Sequence, residues 1–208
     1  MLLGPAQAAH AASATVSNGT LSFVAGAGEV NTITIGVSGS NYVVSDPGRP
    51  ITLPNGTTVN GSASFAASGI TSIVVDGGDS NDSIAVSPSI RATLIGGAGN
   101  DSLTGGGGND TLNGGDGNDT VTGGAGTDTL YGGNDDDTLD GGTGADSLRG
   151  ESGTDVASYT TRTSAVNVTI DNVANDGAGE ATTYAPTSSA YWAAPAPTRS
   201  PARAQARS

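Results

Sequence analysis

The sequence predicts an all-β protein: a parallel β-solenoid of nine-residue repeats behind a β-rich N-terminal head. Two observations predict the solenoid. Between Gly96 and Ser158 seven units follow without a break, reading GGAGNDSLT, GGGGNDTLN, GGDGNDTVT, GGAGTDTLY, GGNDDDTLD, GGTGADSLR and GESGTDVAS. Asp fills the sixth place of all seven, and a Leu or Val fills the eighth place of the first six. A third observation predicts the head: residues 15–95 are rich in Thr, Ser, Gly and Val, in short alternating runs.

Residues 1–14, MLLGPAQAAHAASA, carry small residues in A-x-A spacing at Ala6–Ala8, Ala9–Ala11 and Ala12–Ala14. This predicts the end of a secretory signal that lacks its basic n-region and keeps only a short apolar stretch, the alternative being an Ala-rich terminus without order. His10 lies inside that segment and is read as incidental. In the head, strands are predicted at Thr32–Ile35, Tyr42–Val44, Ile70–Val75 and Ala92–Ile95, with Pro47, Pro50 and Pro54 marking a loop. A solenoid leaves open strand edges at its end, so the head is expected to cap the stack. Residues 77–85 contain a degenerate repeat whose Asp82 lies nineteen residues before Asp101, so that coil carries one extra residue.

Each unit at 96–158 divides in two. Glycines in the first six places supply positive φ without steric cost. The last three places alternate polar, apolar, polar and form a short strand with one side chain inward. Two units make one coil, and coils stack because a single unit cannot bury its apolar face. Stacking sorts the aspartates into two rows: Asp101, Asp119, Asp137 and Asp155 in one, Asp110, Asp128 and Asp146 in the other. Neighbours in a row lie about 4.8 Å apart along the stack and repel by roughly 3–4 kcal/mol. A hard divalent cation between coils reverses the sign of that interaction. Carboxylate and carbonyl oxygens suit Ca2+, with an affinity expected in the extracellular range. The array is therefore expected to fold on binding several Ca2+ ions. Asp82, Asp101, Asp110, Asp119, Asp128, Asp137, Asp146 and Asp155 are the candidate ligands.

These units resemble the GGxGxDxUx nonapeptide of the RTX (repeats-in-toxin, haemolysin-type) calcium-binding proteins. The resemblance implies a parallel β-roll whose turns bind Ca2+ through the sixth-position Asp and backbone carbonyls. It also implies export, and it raises the chance of a larger toxin or enzyme nearby. Two units depart from the pattern. Asp135 and Asp136 replace the fourth-position Gly and fifth-position Asn of theirs, and Glu151 and Ala157 replace the second Gly and the Leu of the last. Asp135 is expected to be strained at a position that wants positive φ.

Residues 159–180 are predicted to form a strand at Val166–Ile170 and a polar loop in which Asp176 and Glu180 could hold another cation. From Ala181 the chain has no acidic residue and no glycine. Residues 181–208 read as a disordered tail or as an out-of-frame translation of further repeats. The nucleotide sequence around the Glu180 codon decides between these.

Composition excludes several function classes. The charge is −13, all seven basic residues are Arg, and Cys is absent. That argues against nucleic-acid binding and leaves no disulfide framework. No apolar run is long enough for a transmembrane helix. An EF-hand is excluded because no Glu closes a twelve-residue loop, and the GxG fragments precede no helix pattern. There is no H-E-x-x-H and no G-x-S-x-G, so the chain is expected not to be an enzyme. The expected function is a secreted, calcium-binding protein. The alternatives are a fragment of a larger RTX enzyme or toxin, or an adhesive protein with a cell-surface or matrix partner. For adhesion the ninth positions (Thr104, Asn113, Thr122, Tyr131, Asp140, Arg149) look too mixed to form one uniform face.

Overall fold

The computed structural model describes residues 12–158. Most of the signal-like segment, the strand expected at Val166–Ile170, the loop with Asp176 and Glu180, and the 181–208 tail lie outside the described residues. The strands are β1 (Ala12–Ser17), β2 (Thr20–Val24), β3 (Thr32–Ser38), β4 (Asn41–Thr52), β5 (Thr58–Ala66), β6 (Ser72–Asp79), β7 (Ser83–Val86), β8 (Arg91–Ala98), β9 (Ser102–Gly106), β10 (Thr111–Asp116), β11 (Thr120–Gly124), β12 (Thr129–Asn134), β13 (Thr138–Asp140), β14 (Ser147–Ser152) and β15 (Val156–Ser158). The fold is all-β, a parallel β-solenoid.

Its two faces are parallel stacks. One runs β2-β6-β8-β10-β12-β14 and the other β3-β7-β9-β11-β13-β15. At the N-terminal end β1 and β4 join the two faces into a single sheet, and β5 pairs antiparallel with β4. The coil lattice therefore continues without a break from the repeats into the head. Each coil of the repeats contributes one inward apolar side chain from each face, in rows that run on into the head. The first face stacks Phe23, Val75, Leu94, Leu112, Leu130 and Leu148. The second stacks Ile33, Ile84, Leu103, Val121, Leu139 and Ala157. All but Ala157 are buried, and Ala157 packs against the cluster.

Three expectations change. Strands in the repeats run beyond the last three places of a unit and into the glycines of the next, as in Ser102–Gly106. The inward alternation simply continues, since Asp101, Leu103 and Gly105 are all buried. Pro47 and Pro50 do not mark a loop but lie within β4, where the β4–β5 register shifts between Ser45 and Pro50. An irregular stretch of ladder tolerates a residue that cannot donate a hydrogen bond. Pro54 is in the turn between β4 and β5. Lastly, Ala12 and Ala14, inside the signal-like segment, are buried core residues of β1.

The second glycine of the first six units is a packing requirement as well as a conformational one. Gly115 has φ 117°, and a Cβ there would run into the Gly97 carbonyl of the preceding coil. Gly36, in β3, has nothing within 4 Å of such a Cβ. In saturating calcium, Gly115→Ala is expected to cost well over about 1 kcal/mol, and Gly36→Ala to be near neutral or slightly stabilising. Urea unfolding of the two variants checks this.

Candidate metal centre

Each sixth-position Asp ends a turn just before its strand, with its side chain directed inward beneath the coil. The two rows expected from the sequence form. Asp101 N donates to Asp119 Oδ1 (2.7 Å), Asp119 N to Asp137 Oδ1 (2.8 Å), and Asp137 N to Asp155 Oδ1 (2.9 Å). On the other edge Asp110 N donates to Asp128 Oδ1 (2.8 Å) and Asp128 N to Asp146 Oδ1 (3.0 Å). Asp82 joins the first row despite the extra residue, its N–H donating to Asp101 Oδ1 (2.7 Å).

The second carboxylate oxygen has a different fate. Oδ2 of Asp82, Asp101, Asp110, Asp119 and Asp137 is buried and accepts no hydrogen bond. Beside it lies a cradle made by the unit's first glycine. A Cβ on Gly105 would sit 2.7 Å from Asp110 Oδ2 and 2.6 Å from the Gly123 carbonyl one coil on. On Gly77 it would meet Asp82 Oδ2 and the Gly96 carbonyl, each at 2.7 Å. An unpartnered carboxylate oxygen and a carbonyl oxygen therefore face the same small space, left open because no side chain fills it. Buried polar atoms without partners are rare, and here they recur with the repeat.

Electrostatics agree. Burial pushes the carboxyls of Asp82, Asp110 and Asp119 up to about 6 and that of Asp137 up to about 7. Asp101 is raised for the same first reason. Backbone N–H bonds from the preceding coil offset part of this, and neighbouring aspartates add to it. Repulsion along the row, expected from the sequence to be the main cost, is thus secondary to desolvation.

The two edges end differently in the head. Where the second row would continue beyond Asp110, the lattice carries Ala92, Ile73 and Leu21, all fully buried. Ala92 N donates to Asp110 Oδ1 (2.7 Å) and closes that row. Apolar core and carboxylate are thus alternatives at one lattice position. A further ladder, missed in the sequence, runs outside the aspartates. Asn81 Oδ1 accepts from Asn100 N (2.9 Å), Asn100 Oδ1 from Asn118 N (3.1 Å), and Asn109 Oδ1 from Thr127 N (3.0 Å). The recurrent fifth-position Asn was its signal. Asp135 has φ 75° and Glu151 φ 72°, so both departures from glycine do occupy positive-φ positions. The charge of Asp135 also raises the carboxyls of Asp119 and Asp137.

The donor set is all oxygen, which fits a hard cation. Among the described residues no three His, Cys, Asp or Glu side chains cluster, so one carboxylate per unit would act with backbone carbonyls. No helix among the described residues is long and apolar enough to cross a membrane, which says nothing of membrane β-barrels. No curated protein matches the chain. Residues 92–121 and 122–157 match the family model described as RTX calcium-binding nonapeptide repeat (4 copies). Residues 92–157 are thus a stretch of RTX-type calcium-binding nonapeptide repeats, just under a third of the chain.

Proposed function

We propose that this is a secreted, non-catalytic protein whose repeat array takes up several Ca2+ ions and is ordered by them. Asp82, Asp101, Asp110, Asp119, Asp128, Asp137, Asp146 and Asp155 are the side-chain ligands, completed by glycine carbonyls of adjacent coils. The observation that carries this reading is the series of buried, unpartnered Oδ2 atoms, each beside a glycine cradle and a carbonyl from the next coil. Bound there, the ion supplies positive charge to carboxylates that burial otherwise pushes toward the protonated form. The chain supplies the rest: N–H bonds that fix each Oδ1, glycines that leave room, and coil spacing that aligns the carbonyls.

Segments 15–95 and 96–158 are read as capping head and calcium-ordered array, with 1–14 as a signal remnant. Because Ala12 and Ala14 are core residues, any cleavage that spares the fold falls before Ala12.

Calcium binding by the full chain, followed calorimetrically, tests the reading. Several ions should bind, with Kd on the order of 10⁻⁴–10⁻³ M, and Asp119→Asn should lose at least one of them. Mg2+ should compete poorly, being strict about octahedral geometry. A chain that binds no calcium, or an Asp119→Asn variant that binds as many ions equally well, would sink it.

A further inference from the structure

The first Asp row does not stop at the nonapeptide units. Residues 26–34, reading GAGEVNTIT, lie on the same lattice as the degenerate repeat one coil on. Gly28 N donates to Asp79 Oδ1 (2.5 Å), Asn31 N donates to Asp82 Oδ1 (2.7 Å), and Ile33 pairs with Ile84. Asn31 thus holds the place that Asp holds in every later coil of this row.

A second acid arrives from outside the lattice. Asp46, on β4, accepts the Thr32 N–H on Oδ1 (3.1 Å), next door to Asn31. Asn31 and Asp46 are each 1 % exposed and Asp82 3 %. Three side-chain oxygens here are buried and accept nothing: Asn31 Oδ1, Asp46 Oδ2 and Asp82 Oδ2. The Asn31 amide is fixed in orientation, because Nδ2 donates to Glu29 O (2.8 Å) and to Asp82 Oδ1 (3.1 Å). The nearby Arg49 is engaged by Glu29 (2.9 Å) and the Val30 carbonyl (3.3 Å). Burial raises the Asp46 carboxyl, and the charge of Arg49 offsets part of that rise. Each of these three neighbouring side chains thus keeps one buried oxygen without a donor, and buried oxygens left so favour a positive charge beside them.

We propose that Asn31, Asp46 and Asp82 form a separate cation site in the head, taking Ca2+. It lies outside the nonapeptide motif, and two of its three residues belong to no repeat unit recognised in the sequence. It rests on the calcium reading of the array only through the shared Asp82. Its ligands come from β4 and from the residues flanking β3 and β7, so an ion there ties the antiparallel hairpin of the head to the first parallel coils.

Calcium counted by equilibrium dialysis on the full chain tests it. Asp46→Asn keeps the shape and the acceptor for Thr32 N–H, and should bind one ion fewer than the unaltered chain. Asn31→Asp restores the carboxylate of the row, and should keep the count while binding one ion on the order of tenfold tighter. Unchanged count and affinity in Asp46→Asn would mean that a water or a shared proton occupies the space, and overturns the head site while the array reading stands. An ion lost in Asp46→Asn but none in Asp119→Asn supports the head site and overturns the array reading. Should Asp46→Asn not fold, Asn31→Asp decides alone, and unchanged affinity overturns the proposal.

Discussion

Removing calcium near neutral pH should unravel the repeats and spare the head. At about 10 mM Ca2+ and a Kd of about 10⁻⁴–10⁻³ M, each bound ion stabilises the fold by about 1.4–2.7 kcal/mol. Several such sites together match the whole stability of an ordinary domain, about 5–15 kcal/mol. The array has little else to rely on. Between Gly96 and Ser158 six of the seven units each bury one Leu or Val, the seventh offers only the partly buried Ala157, and the other inward positions go to Asp and Gly. The head is built differently. Its coils bury Leu21 with Phe23, Ile73 with Val75, and Ala92 with Leu94. In chelator, therefore, far-UV circular dichroism should fall only in part. Amide exchange should open at Leu112, Leu130 and Leu148 and stay protected at Leu21, Ile73 and Val75. Equal protection of both sets with and without calcium would rule out ordering of the array by the ion. Uniform collapse would rule out an independently stable head.

Much of this was legible in the sequence because the period is so strict. Asp and Leu two places apart on a strand must face the same way, so a nine-residue repeat alone dictates two carboxylate rows over two apolar rows. Asp82 could be placed in its row because Ile84 follows it at the same offset. The head was harder. Gly26–Thr34 keeps the lattice yet has Asn31 for Asp and Val30 for Asn, and no pattern search on Gly and Asp finds it. Asp46 belongs to no repeat at all. It reaches its place only because β4 pairs with β3, a long-range contact that spacing does not encode. The ninth positions stay mixed once the fold sorts them. Stacking separates Thr34, Ala85, Thr104, Thr122 and Asp140 on one face from Ile95, Asn113, Tyr131 and Arg149 on the other. Neither row is of one side-chain type. On the second of them Arg149 stacks 5.8 Å over the Tyr131 ring.

The pH dependence of stability should change sign with calcium. Unfolded, these aspartates titrate near 3.9. Folded and calcium-free, Asp82, Asp110 and Asp119 titrate at about 6 and Asp137 at about 7. Between those limits the folded chain holds protons that the unfolded chain has released, so stability falls as pH rises. The calcium-free fold is then most stable near pH 4 and weakens through about pH 7. Each pH unit separating a carboxyl's folded and unfolded titration points is worth about 1.4 kcal/mol. With calcium the order reverses, because the ion binds the deprotonated carboxylates and protons compete with it. Urea midpoints at about pH 4.5, 5.2 and 6, below the neutral range in which the calcium-free array comes apart, on protein freed of calcium by resin and again in excess calcium, should give two lines of opposite slope. Salt separates the causes. Repulsion between exposed charges would fade as the screening length drops from about 10 Å at 0.1 M to about 3 Å at 1 M. Desolvation of carboxyls that are 1–3 % exposed would not. Burial is the leading cause at every one of these residues, so the calcium-free slope should survive added NaCl. The sharpest single reporter is Asp137, the most strongly shifted. Asp137→Asn should raise the calcium-free midpoint at about pH 6, where the array is weakened but not yet lost, and lower the midpoint in calcium. A calcium-free midpoint that climbs with pH would mean that the buried carboxylates find their compensation within the chain and do not need the ion.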